Sequence, residues 1–116
     1  MPSKNIGMNS QTMKDVKYLQ EVGFNISRLM LNFYEQLTES IKDRGIENTV
    51  ADLHRELPLD YDTDKAGQIC VYRPKSAPDY FSYISANGLD IHSISRRFIR
   101  STAKQIQDAR KPADEN

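Results

Sequence analysis

The sequence contains little cysteine and histidine and no tryptophan. One Cys and two His in 116 residues exclude a disulfide within the chain and argue against a four-ligand structural zinc site. Ten consecutive apolar residues occur nowhere, so neither a signal peptide nor a membrane span is predicted. We therefore expect a cytoplasmic protein that has no cofactor or metal of its own and does not contact a membrane.

The chain is short and carries no net charge. Sixteen basic residues balance sixteen acidic ones, and 38% of the residues are apolar. A chain of this length buries only about two-thirds of the surface that its unfolded form exposes. We predict a small interaction or binding module, for which self-association is a natural way to enlarge the core.

Apolar spacing predicts one long helix near the N-terminus. After a polar segment at 1–9, predicted to be a disordered leader, apolar residues recur at steps of three and four from Val16 to Ile41. Gly23 marks a bend or a close helix crossing in this pattern. A helix over 10–43 carries more apolar positions than the rest of the chain can cover, so we predict a homodimer. Its interface is predicted to contain Val22, Ile26, Leu29, Met30 and Phe33.

The remaining elements are predicted to be short helices and one strand. Helices fit 47–57, 79–86 and 91–111, and a β-branched and aromatic run fits a strand at 68–73. The backbone groups of a lone strand must find partners, and pairing with the same strand of a second subunit is the simplest route, which places Cys70 at the dimer interface. We expect a mainly α, intertwined homodimer with a dimerisation core at 10–73, a basic helical region at 74–111 and a disordered tail at 112–116.

Catalytic and metal chemistry have little support in the sequence. Asp60, Asp62 and Asp64 resemble the start of a calcium loop, but the glycine and the bidentate glutamate that such a loop needs are absent. Three interpretations of Cys70 stay open: a packed thiol, an intermolecular disulfide or contact, and a nucleophile. The last has the least support because a buried thiol is inert. We therefore expect that the protein is not an enzyme.

Charge is distributed unevenly along the chain. Residues 33–64 contain nine acidic and three basic residues, whereas residues 73–111 contain eight basic and three acidic ones. In the last helix Arg96, Arg100 and Lys104 are four residues apart and share one face. Such a row can neutralise DNA phosphates, although a solvated surface helix shows the same pattern. The residues predicted to contact DNA are His92, Ser93, Ser95, Arg96, Arg97, Arg100 and Lys104.

The last two predicted helices also fit part of a helix-turn-helix. They are joined by Asn87-Gly88-Leu89-Asp90, in which glycine permits a tight turn. The match is partial, because Ile84 is larger than the side chain usual at its position. In this interpretation the first turn of the last helix reads bases, and its later arginines contact phosphates.

Three segments carry a resemblance to a known family: Glu21–Leu31, Gly45–Leu53, and Gln68-Ile69-Cys70-Val71-Tyr72-Arg73. Over roughly residues 13–106 the chain resembles the FlhD family, the small subunit of the flagellar master transcription activator, and the FlhD-like subunits SetD and AcaD of conjugative elements. The resemblance implies that the N-terminal helices of two subunits intertwine, that Cys70 can bridge the pair, and that the C-terminal helices contact DNA. It also implies a hetero-oligomer with an FlhC-like subunit that carries the zinc.

Two functions from different classes follow. The first is a transcriptional activator subunit that binds double-stranded DNA together with an FlhC-like partner and switches on flagellar or conjugative-transfer operons. The alternative is a small helical chaperone or anti-activator whose acidic face binds a protein and which does not bind nucleic acid.

Overall fold

Five helices and a small two-stranded sheet make up the part of the chain that the structure, a computed structural model, describes: residues 3–59 and 64–110. In chain order the elements are β1 (Ser3–Met8), α1 (Ser10–Glu21), α2 (Ile26–Arg44), α3 (Ile46–Glu56), β2 (Gly67–Tyr72), α4 (Tyr80–Ala86) and α5 (Ile91–Ala109). The prediction of a mainly helical fold is confirmed, and the last four elements lie within two residues of their predicted bounds. None of the described helices is long and apolar enough to cross a membrane.

β1 and β2 pair with each other as an antiparallel sheet. Asn5 lies opposite Cys70, and Ile6 lies opposite Ile69. Side chains alternate between the two faces of a sheet, and both isoleucines are buried in the core. The prediction of a disordered leader is therefore wrong for residues 3–8, and so is the prediction that the strand at 68–73 has no ladder within the chain, because β1 supplies that ladder.

The predicted long N-terminal helix is interrupted between α1 and α2. Gly23 has a φ of 106°, in the left-handed region that residues with a side chain rarely adopt. The N–H of Phe24 donates to the Leu19 carbonyl at 2.9 Å, which closes the end of α1. Asn25 then caps α2 by accepting from the N–H of Arg28 at 3.1 Å. The prediction of one continuous helix over 10–43 is therefore wrong, because the glycine turn and a new N-cap separate two helices.

α2 contributes the central side chains of the core. Met30 and Tyr34 are fully buried. Phe33 stacks on Phe98 of α5 with the ring centroids 4.1 Å apart, and Tyr34 packs edge-on against Phe81 of α4 at 5.3 Å. Aromatic side chains from three helices thus fill one core, which covers much of the apolar stripe of α2 within the chain.

The residues predicted for a dimer interface are largely used inside the chain. Ile26, Met30 and Phe33 are buried in the core of one copy, so their side chains offer little surface to a second subunit, and the homodimer itself stays a prediction. Val22 and Leu29 are half-buried. The physical reason is that α3, α4 and β2 pack against α2, so no second copy is needed to cover these side chains.

Candidate nucleic-acid interface

The basic helix α5 presents one face to the core and another to solvent. Asp90 caps its start, because Oδ1 accepts from the N–H of His92 at 3.0 Å. The buried positions of the helix are Ile91, Ile94, Ser95, Ile99 and Ala103. This inner face determines which basic side chains point outward: Arg100 and Lys104 are exposed, whereas Arg96 and Arg97 are half-buried.

The first turn of α5 lies against β1. Nδ1 of His92 accepts from the N–H of Gly7 at 3.1 Å, and Nη1 of Arg96 donates to the Gly7 carbonyl at 3.0 Å. Together the two side chains bind the backbone groups of Gly7 that point away from β2, which closes part of this sheet edge.

Ser93, like His92, belongs to the first turn of α5 that is predicted to read bases. It is half-buried and lines, together with His92 and Arg96, a cavity of about 780 Å³ between the start of α5 and the sheet. The charged side chains Asp64 and Lys65 line the same cavity. The polar side chains of the first turn therefore face a recess beside the sheet, and their contact with DNA stays a prediction.

Ser95 is placed where it cannot contact DNA. It is fully buried, and its hydroxyl lies 2.5 Å from the hydroxyl of Tyr34 and donates to the carbonyl of Ile91. Burial also raises the pKa of Tyr34. The prediction that Ser95 reads bases is wrong, because position 95 follows Ile91 by about one helical turn and shares its inner face.

Arg97 is engaged with α3. Its Nε donates to the Pro58 carbonyl at 2.9 Å, and its Nη2 lies 3.4 Å from the carbonyl of Leu53 and 3.5 Å from that of Leu57. The Leu53 carbonyl also accepts from the N–H of Leu57 at 3.0 Å, whereas the carbonyls of Leu57 and Pro58 lie just beyond the helix, at the negative end of its dipole. The structure therefore gives Arg97 a capping contact in place of the predicted DNA contact.

Arg100 and Lys104 form the outward basic pair. They line a groove of about 300 Å³ between α1 and α5, together with Gln11, Gln107 and two acidic residues, Asp15 and Asp108. Nη1 of Arg100 lies 3.7 Å from Oδ2 of Asp15, and about half of the Arg100 side chain is exposed. Of the seven predicted DNA-contacting residues, these two are the exposed ones.

Asp15 also lines this groove, although the spacing of the basic residues on α5 does not predict it. The residue is 5% exposed, and Oδ1 accepts from Nε2 of Gln11 at 3.2 Å. Burial raises the pKa of Asp15, while Gln11 and Arg100 act in the opposite direction. One signal is visible in the sequence: Asp15 precedes Leu19 by four residues and therefore lies on the apolar face of its helix.

Cys70 is half-buried on the outward face of β2. The Ser27 hydroxyl donates to the Cys70 carbonyl at 3.1 Å and accepts from the N–H of Tyr72 at 3.3 Å, so α2 closes this edge of the sheet. A groove of about 590 Å³ is lined by Cys70, Phe24 and Met13, among others. The placement of Cys70 at a dimer interface stays a prediction.

The acidic half of the chain forms a separate exposed surface. Glu35, Glu39 and Asp43 are exposed on α2 at steps of four residues. On α3, Asp52 forms ion pairs with Arg44 and Arg55. The hydrogen bond from Arg44 is the main cause that lowers the pKa of Asp52. The acidic stripe on α2 thus carries charges that this ion-pair cluster does not neutralise.

The aspartates that resemble a calcium loop are described only in part. Asp60 and Asp62 lie outside the described residues, as does the predicted tail at 112–116. Asp64 accepts from the hydroxyl and the N–H of Ser10, which lowers its pKa, and it thereby contacts the first residue of α1. Within residues 3–59 and 64–110, no three His, Cys, Asp or Glu side chains are grouped to hold a metal ion.

Comparison with known proteins gives no further assignment. The chain matches no family model, no curated protein and no solved structure.

Proposed function

We propose that the protein is a DNA-contacting subunit of a transcriptional activator and that α5 supplies phosphate contacts. The observation that carries this proposal is the pair Arg100 and Lys104, which are exposed one helical turn apart on the outward face of α5. Two cations at this spacing can neutralise neighbouring phosphates and release their counterions. Arg96 lies one turn earlier on the same row and extends it towards β1.

In this proposal base recognition comes mainly from a partner. The first turn of α5 is packed beside β1, and Ser95 is buried, so few side chains of this helix are available to read base edges. Phosphate contacts position a protein on the duplex but carry no sequence information directly. An FlhC-like, zinc-binding subunit is the partner proposed from the sequence resemblance, with flagellar or conjugative-transfer operons as the targets.

The test is a salt series with a DNA duplex, for the chain alone and with the co-expressed product of the neighbouring gene. Replacing Arg100 and Lys104 together by alanine should lower the slope of log affinity against log salt by about two, which is about one per lost phosphate contact. Lys75→Ala removes one positive charge from the exposed loop between β2 and α4 and serves as the control. A double variant that folds and binds its partner, yet keeps the wild-type affinity across the series, would falsify the proposal.

A protein-binding module is the second candidate, favoured by the exposed acidic stripe on α2. Glu35→Gln with Glu39→Gln should then abolish binding to a basic protein partner, while the Arg100 and Lys104 double variant keeps that binding. The opposite pattern, in which only the basic pair matters, supports DNA contact. The same purified variants therefore separate the two functions.

A further inference from the structure

A buried carboxylate lies directly behind the outward basic pair. Asp15 is 5% exposed, whereas about half of the Arg100 side chain remains accessible. Oδ1 of Asp15 accepts from Gln11, but within residues 3–59 and 64–110 nothing forms a hydrogen bond with Oδ2. Its contact with Nη1 of Arg100 measures 3.7 Å, which is longer than a hydrogen bond. Arg100 is therefore attracted by the carboxylate without a hydrogen bond between them.

We propose that Asp15 is a positioning residue that restrains Arg100 and competes with oxyanions for its guanidinium group. The proposal deepens the proposed function and rests on it for the identity of the anion, a DNA phosphate. Asp15 does not touch the anion itself. Its negative charge lowers the affinity of the site for phosphate. It also keeps Arg100 beside the groove between α1 and α5 until a phosphate replaces Asp15 as the partner of the guanidinium group.

The geometry favours competition over a simple structural ion pair. Asp15 is buried on the inner face of α1, so its carboxylate cannot follow Arg100 into solvent. A phosphate that draws Arg100 away therefore leaves a buried carboxylate without its counter-charge. Lys104 is exposed and lines the same groove, as does Asp108 one helical turn later. Each phosphate contact made by Arg100 therefore works against the attraction of Asp15.

Asp15→Asn tests this competition because it keeps the shape of the side chain and removes the charge. We expect Asp15→Asn to bind a 20-base-pair duplex about fivefold more tightly than the wild-type protein, as for a partly exposed ion pair. Glu21→Gln is the matched control: it removes one negative charge from the exposed end of the same helix. In an Arg100→Ala background, Asp15→Asn should bring no gain beyond that of Glu21→Gln.

A second probe keeps the inference separate from the proposed function. Pyrophosphate is titrated into the wild-type and Asp15→Asn proteins while the Arg100 Nε–H signal is followed by NMR, with urea unfolding as a check that both proteins are folded. Tighter pyrophosphate binding by Asp15→Asn supports the restraint even if no variant binds DNA, in which case only the function fails. Equal pyrophosphate affinities overturn the restraint, and so does a DNA gain that persists in the Arg100→Ala background.

Discussion

Replacing Arg97 by alanine is expected to destabilise the protein without weakening its contact with DNA. The guanidinium group reaches three carbonyls at and just after the end of α3, with one hydrogen bond of 2.9 Å to Pro58 and two of 3.4 and 3.5 Å to Leu53 and Leu57. Arg97 therefore joins α5 to α3, two helices that are distant in the sequence. Its removal would leave these acceptors without their charged donor.

The magnitude follows from these distances. A hydrogen bond with a charged partner contributes about 1.5 to 3 kcal/mol to stability. Only one of the three contacts has a typical length and Arg97 is half-buried, so we expect Arg97→Ala to lower the free energy of unfolding by about 2 kcal/mol. For a domain of this size this corresponds to a Tm lower by roughly 6 to 10 °C. Arg97→Lys keeps the charge but not the planar donor group, so it should restore only part of the loss.

Urea unfolding followed by circular dichroism measures the effect, and the DNA salt series is run on the same proteins. Lys104→Ala removes a positive charge from the exposed face of the same helix and should change stability by less than about 0.5 kcal/mol. Wild-type stability in Arg97→Ala would refute the capping role. Wild-type stability combined with weaker DNA binding would return Arg97 to the phosphate-contacting set.

Three further substitutions test the sheet, the helix break and the buried carboxylate. Ile6→Ala should cost about 3 kcal/mol in urea unfolding because the side chain is fully buried, whereas exposed Asn5→Ala should cost little; equal small effects would mean that β1 is not packed. Gly23→Ala should cost about 1 to 2 kcal/mol at its left-handed φ, while a continuous helix would instead gain about 1 kcal/mol from the same change. The raised pKa of Asp15 means that the folded protein keeps the carboxyl proton to a higher pH than the unfolded chain does, so the free energy of unfolding should fall as pH rises through that pKa. Asp15→Asn should flatten this part of the profile of stability against pH. An unchanged profile would contradict the effect of burial on Asp15.

Local signals in the sequence were sufficient to predict the last four elements. Pro58 follows α3, and Pro74 follows β2 by two residues. Asn87 and Gly88 separate α4 from α5, and the Asp90 side chain caps α5 as its position predicts. Each of these residues acts on the backbone within a few positions, so its effect can be read without knowledge of the tertiary fold.

β1 could not be predicted from its own residues. The segment contains only two large apolar side chains, Ile6 and Met8, and the residue between them is Gly7. Its partner β2 lies in the other half of the chain, and neither strand shows in its sequence which residues it will pair with. The quaternary prediction has the same origin, because a strand with no visible partner in the sequence favours pairing with a second subunit.

Helical spacing could predict the face of the candidate site but not the contacts of each residue. Arg96, Arg100 and Lys104 share the expected row, yet Arg96 bonds to β1 and Arg100 pairs with Asp15, while Lys104 is exposed. These differences arise from neighbouring elements that pack against α5 from distant parts of the chain. The number of basic residues in a helix therefore overstates the number of side chains that can meet a phosphate.

A dimer of this chain would have to use a surface other than the stripe on α2, because Ile26 and Met30 are buried within one copy and β1 already pairs with β2. Three large apolar side chains remain exposed among the described residues: Phe24 at 37%, Leu59 at 53% and Tyr72 at 53%. Phe24 lines the same groove as Cys70, and Tyr72 follows Cys70 by two residues on the same face of β2. A two-fold axis beside this face would bury both aromatic side chains and bring two Cys70 thiols close together. Such a dimer would add to a core that is already complete, so its dissociation should leave each monomer folded.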